Sequence, residues 1–250
     1  MKTTLPRFIR VTTSAFVLGV VALAAQASTA IEPKPRDAGW VKRHEGFVEI
    51  AKRGNVDVLF LGDSITDGWR NDETKRGGKT LWDQHFAPLK AANFGISGDR
   101  TQHVLWRLQH GEIDGIKPKV VVLMIGTNNT GFEPDGVTPK NTPAETAEGV
   151  RAIVKGIRLK LPTTKILLLA VFPRGEKSDH PGRKQVDEIN KLIRRFQDGK
   201  FIRYLDLGPK FLTEDGTLSK DIMPDFLHPN PKGYEIWANE IKAPLAKMLE

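Results

Sequence analysis

Two hydrophobic rhythms alternate along this chain. Short, nearly unbroken apolar runs occur at 56–61, 91–94, 120–125, 166–171 and 201–205, the pattern of strands buried on both faces. Between them the period becomes helical. In 144–161, Val150, Ile153, Ile157 and Leu161 share one face, and in 182–197 Val186, Ile189, Ile193 and Phe196 do the same. The last segment repeats the spacing through Tyr234, Trp237, Ile241, Leu245 and Met248. Pro143, at or just before the first turn, and Pro162, just past the end, punctuate the first of these helices. Alternating strands and helices predict an α/β protein with a parallel sheet covered on both faces. Five strands at this spacing predict a three-layer α/β/α sandwich around a flavodoxin-like, five-stranded parallel sheet. Such sheets place their sites at the carboxyl ends of the strands.

Candidate chemistry falls at those ends. The first run is followed by Gly62-Asp63-Ser64-Ile65-Thr66, where a serine in a turn is well placed to be a nucleophile. A serine hydroxyl needs a base to take its proton. His228, in the loop between the fifth run and the last helix, supplies an imidazole that accepts and returns a proton near neutrality. Asp225, three positions earlier, can fold back onto the other ring nitrogen and fix the tautomer. A developing oxyanion needs donors. The Ser64 N–H, the Gly98 N–H after the second run and the side-chain amide of Asn128 after the third run are the candidates. Plainer roles stand beside these. Ser64 can be a helix N-cap, Gly98 a turn glycine, Asn128 a turn former and His228 a loop histidine. The other histidines, His44, His85, His103, His110 and His180, show no carboxylate partner at short range and no metal-ligand spacing. They read as surface or structural. Gly95 and Gly98 do not complete a dinucleotide fingerprint.

Composition narrows the picture. A chain of 250 residues with 39% hydrophobic and 27% charged residues suits one globular domain with a full core. Its first residues read differently. Lys2, Arg7 and Arg10 precede an apolar stretch at 16–25 and small residues that offer cleavage after Ala27 or Ala30. Residues 1–30 therefore read as a secretory signal peptide, and the chain is expected to be secreted or periplasmic. The apolar stretch is well short of the roughly 20 residues of a spanning helix, so no stable membrane insertion is expected. With no cysteine, disulfides and thiolate metal sites are excluded. The leader holds three of the 38 basic residues and no acidic one, so the rest has 35 basic against 30 acidic groups. That small surplus is scattered, without the clustered basic face of a nucleic-acid binder.

Taken in order, Gly62-Asp63-Ser64, Gly98, Asn128 and Asp225-x-x-His228 resemble the four-block pattern of the SGNH (GDSL-like) hydrolases. The stretches 93–108 (NFGISGDRTQHVLWRL) and 116–129 (IKPKVVVLMIGTNN) are similar to catalytic subunits of intracellular platelet-activating-factor acetylhydrolases. So are Pro173-Arg174-Gly175-Glu176-Lys177 and Asp225-Phe226-Leu227-His228. The likeness runs from about Val56 to the C-terminus. It implies a hydrolase domain over 56–250, preceded by an arm and first helix at 31–55. It also implies metal-independent, cofactor-free ester hydrolysis in two steps. Ser64, Asp225 and His228 would form the triad, and Ser64, Gly98 and Asn128 the oxyanion hole. Ile65, Thr127 and Leu227 correspond to acyl-pocket positions that leave room for acetyl, though Ile65 and Leu227 equally fit core packing. The group's dimers hint at a homodimer. An exported chain argues against carrying over the phospholipid. The expected substrate is a small-molecule or carbohydrate ester. Two other readings are a non-catalytic carbohydrate- or surface-binding module on this scaffold, and a lysophospholipase or thioesterase with a longer acyl preference.

Overall fold

The computed structural model describes residues 28–72 and 77–250. The proposed n-region and apolar stretch of the leader lie outside the described residues. Five strands form one parallel sheet: β1 (Val58–Gly62), β2 (Ala91–Gly95), β3 (Val120–Met124), β4 (Lys165–Leu169) and β5 (Ile202–Leu205). Their order is β2-β1-β3-β4-β5, the flavodoxin-like arrangement that the sequence pattern predicts. Each apolar run forms a strand, with ends displaced by at most two residues. Ile125, Ala170 and Val171 stay buried just past the strand ends, and the Ala170 N–H still donates to the Leu205 carbonyl at 2.9 Å.

The strands are apolar on both sides because both sides are covered. Leu59, Leu61, Val121, Leu123, Ile166 and Leu168 pack with helices α1 (Ala38–Arg53), α4 (Thr101–Gln109), α5 (Pro143–Lys160) and α6 (Pro181–Ile193). Val58, Phe60, Val120, Val122, Leu167 and Leu169 face a second core with α7 (Pro231–Leu249), Trp69 and Phe86. Two short helices, α2 (Ser64–Asp67) and α3 (Lys79–His85), lie between β1 and β2. Helix α5 starts on a capping box in which Thr142 and Glu145 bind each other's backbone N–H, with Pro143 in its first turn. Helix α6 stops at Ile193 and tightens into a 3₁₀ turn (Arg194–Phe196). Phe196 is therefore only half-buried and meets the Arg151 guanidinium 4.7 Å from its ring centre. Among the described residues, no helix is long and apolar enough to cross a membrane.

The segment at 28–37 is not a loose tail. Ser28 caps a 3₁₀ turn (Thr29–Ile31) whose Ala30 is fully buried. The Thr101 hydroxyl donates to the Ala30 carbonyl at 2.8 Å, and the Asn141 amide donates to the Thr29 hydroxyl at 2.9 Å.

Candidate active site

Strand β1 ends at Gly62, where a side chain would collide with the Met124 carbonyl and Thr66. Glycine lets the chain turn there into α2. The cap of α2 is Asp63, whose Oδ1 accepts from the Ile65 N–H at 3.0 Å. Ser64 is the first helical residue, so its hydroxyl has no capping duty. That hydroxyl lies 2.9 Å from His228 Nε2.

His228 is held from the other side. Its Nδ1 is 2.9 Å from Asp225 Oδ2, while Asp225 Oδ1 accepts the N–H groups of Leu227 and His228 at 3.1 and 2.8 Å. A carboxylate cannot donate, so Nδ1 carries the proton and Nε2 is left to accept from Ser64. The turn depends on Phe226, which adopts a left-handed φ of 57°. Two bonds hold it there. Its N–H donates to the Met223 carbonyl, and its carbonyl accepts from the Gly175 N–H, both at 2.8 Å. Burial works against ionisation of Asp225, but hydrogen bonds from the His228 backbone and ring prevail. They hold its carboxyl below the usual carboxylate range.

Gly98 and Asn128 meet through the residue between them in space, Asp99. Gly98 has φ 82°, a conformation that favours glycine. Among the described residues, no group accepts from its N–H. Asn128 lies in a 3₁₀ turn (Thr127–Asn129), and its amide donates one hydrogen to the Asp99 carbonyl at 3.0 Å. The second amide hydrogen meets no acceptor among the described residues. The neighbouring asparagine does different work. Asn129 is buried, accepts from the Thr101 N–H and donates to Thr101, Gln102 and Asn141.

A cleft of about 190 Å³ opens at this edge of the sheet, lined by Ser64, Gly68, Asn71, Ser97, Asp225, His228 and Tyr234. Ile65 and Thr127 are buried and Leu227 is half-buried, and none of the three expected acyl-pocket residues is in the lining of this cleft. Ile65 packs in the second core, and its carbonyl accepts from the Tyr234 hydroxyl at 2.8 Å. Thr127 accepts from Arg174 through both its carbonyl and its hydroxyl, at 2.9 and 3.3 Å.

Arg174 escaped the sequence reading, which noted its motif but gave it no role. Its guanidinium also donates to the Thr130 hydroxyl at 2.8 Å. Next to it, Gly175 binds the Phe226 carbonyl. This motif therefore links the Asn128 turn to the Asp225–His228 loop. Burial drives the Asp63 carboxyl up to about 7; the Ile65 N–H and Arg174 pull the other way. His103 corrects one expectation. It does have a short-range carboxylate, Asp99, four residues earlier and 3.8 Å from Nδ1. Burial, reinforced by Arg36 and Arg100, pushes it down to about 3, so it stays neutral and accepts the Arg100 N–H at 3.0 Å. Its role is structural. Among the described residues, no group of three or more His, Asp or Glu side chains is placed to hold a metal ion.

Residues 60–236 match the GDSL-like Lipase/Acylhydrolase family. The chain belongs to this family. Among its relatives, platelet-activating factor acetylhydrolase IB subunit alpha2 of Rattus norvegicus is 38% identical over 215 residues, covering 86% of each chain. Subunit alpha1 of Homo sapiens is 34% identical over 226 residues, covering 90% of each. In three dimensions the GDSL-like fold is shared with an acetylxylan esterase from Geobacillus stearothermophilus. The TM-score is 0.59 at 21% identity, covering 79% of this chain and 96% of that one. Membership makes the chain a hydrolase of the acylhydrolase and esterase type, and the three-layer α/β fold is the one that the resemblance of its sequence blocks implied.

Proposed function

We propose that this chain is a serine esterase that removes short acyl groups, acetyl foremost, from oxygen esters through an acyl-enzyme. The observation that carries the reading is the unbroken relay from Ser64 through His228 to Asp225, with both links at 2.9 Å. In the first step Ser64 Oγ bonds to the ester carbon while its proton passes to Nε2. The resulting oxyanion rests on the Ser64 and Gly98 N–H groups and the free Asn128 amide hydrogen. Collapse breaks the bond to the alcohol, which leaves with the proton from Nε2. Water then repeats the sequence on the acyl-enzyme, and acetate departs.

The surroundings support a small acyl group and a polar alcohol. The cleft beside Ser64 holds only about 190 Å³, which favours a small acyl group over a long chain. Asn71 and Ser97 line the cleft beside Ser64, offering hydrogen bonds to a hydroxyl-rich alcohol such as a sugar. A profile of p-nitrophenyl esters tests this. Turnover should be highest with acetate and fall by at least about tenfold by octanoate, with acetylated sugars as substrates and no effect of a chelator. A maximum at octanoate or longer would replace the reading with a long-chain lipase.

We infer further that the chain is exported, and that its leader is cut after Ala27. The fold distinguishes the two small-residue sites. Cleavage after Ala30 would remove a buried residue and the bonds from Thr101 and Asn141. Cleavage after Ala27 leaves all of them in place. Intact-mass measurement of the secreted protein should find Ser28 as its first residue; a chain beginning at Ile31 would contradict this.

A further inference from the structure

Beneath the turn at 97–99 lies a dense set of buried polar contacts. The Asp99 carboxylate has no solvent exposure. The Trp40 indole N–H donates to it at 2.7 Å, and Arg107 pairs with it at 3.0 Å. The third contact comes from the N-terminal arm. Arg36 Nη1 donates to Asp99 Oδ1 at 3.2 Å and to the Ser97 carbonyl at 2.7 Å. Its guanidinium also lies over Gly98, where an added Cβ would stand 3.2 Å from both terminal nitrogens. One side chain therefore touches all three residues of the turn. The carbonyl of the last of them orients Asn128. The arm that carries Arg36 is fixed at its start by the packed 3₁₀ turn, in its middle by the Lys34 N–H on the Gln102 carbonyl, and beyond Arg36 by the Asp37 cap of α1.

We propose that the N-terminal arm is a positioning part of the active site: Arg36, backed by Trp40, clamps residues 97–99 so that the Gly98 N–H and the Asn128 amide converge on one point. This rests on the esterase reading above. A glycine at φ 82° has wide backbone freedom, and an oxyanion donor is effective only when it is already aimed before charge develops. Arg36 removes that freedom without touching the substrate. Its planar fork lies over Gly98, which an ammonium cannot imitate.

The clamp acts where charge appears in the transition state, so its loss should appear in kcat and not in KM. Arg36→Ala should lower kcat on p-nitrophenyl acetate by between about tenfold and about 100-fold, at or below the loss typical of deleting a donor outright. KM should stay within about twofold. Affinity for a methyl trifluoromethyl ketone, whose adduct carries the same oxyanion, should fall by the same factor as kcat/KM, and the pH profile should keep its shape. Arg36→Lys should recover part of the loss, and Trp40→Phe should show a smaller loss of the same kind. Wild-type kcat in a folded Arg36→Ala protein would overturn the proposal, as would a kcat loss without a matching loss of ketone affinity. If Arg36→Ala does not fold, Trp40→Phe and Arg36→Lys decide by the same two measurements. Ser64→Ala is the control. Full turnover in that variant would fail the esterase reading itself, whereas an inactive Ser64→Ala beside an unimpaired Arg36→Ala would fail the clamp alone.

Discussion

Ser64→Ala should lower turnover of a chromogenic acetate by about 10⁴- to 10⁶-fold, the range seen when an activated serine is removed and only the donors remain. The protein should stay folded. The Ser64 hydroxyl bonds to His228 and to no other described group, while the cap of α2 belongs to Asp63. The serine is only half-buried, and alanine is a better helix former. Its stability should therefore change by no more than about 0.5 kcal/mol. A fluorophosphonate probe should label the parent protein once, at Ser64, and leave the variant unlabelled. Turnover retained in the variant would remove the nucleophile from the mechanism. A parent that neither turns over esters nor takes the label would favour the non-catalytic binding module instead.

The parts of this site that could be read from sequence are those that are local in the chain or sit at strand ends. Asp225 and His228 are three residues apart, so one turn suffices to join them, and the spacing alone suggests the contact. Ser64, Gly98 and Asn128 each follow an apolar run, and a parallel sheet brings such ends together without further information. The sheet itself was legible because its strands are buried on both faces. Charged groups that serve the interior were not. The N-terminal arm, rich in proline and charge, read only as a short arm with no contact assigned to it, although Arg36 reaches the turn at 97–99, 61 residues further on. Arg107 left a signal that went unused. At three residues past Val104 and one before Leu108, it lies on the buried face of α4. A charged residue in that register announces a buried partner. The partners, Asp99 and Glu112, flank the helix at either end and carry no helical period of their own. Arg174 was visible only as part of a family motif, because the two loops it links have no sequence relation to each other.

That buried arginine leads to the largest expected loss of stability. Arg107, Asp99 and Glu112 are all fully buried, and Arg107 pairs with both carboxylates. It also donates to the Phe94 and Gly62 carbonyls at 2.8 and 3.3 Å, tying together the ends of β2 and β1 beside Ser64. Arg107→Met keeps most of the volume but strips the cation from two acids that have no access to water. Removing one partner of a buried pair costs about 3–5 kcal/mol, which for a domain of this size lowers Tm by roughly 6–20 °C. The sign of the pH dependence separates charge from packing. Burial drives the Glu112 carboxyl up to about 7 from 4.5, against the pull of Arg107. A raised acid binds its proton more tightly in the folded state, so its contribution is full below about 4.5 and is lost as pH rises through about 7. Without Arg107 the penalty for ionising it grows. The deficit of Arg107→Met should therefore be larger at pH 8 than at pH 5 in urea unfolding, and adding Glu112→Gln should flatten that difference. The bonds of Arg107 to the Phe94 and Gly62 carbonyls and its pairing with Asp99 do not depend on Glu112, so part of the deficit should survive at pH 5. A deficit equal at the two pH values would mean that Arg107 supports the Ser64 turn through its carbonyl bonds and packing alone.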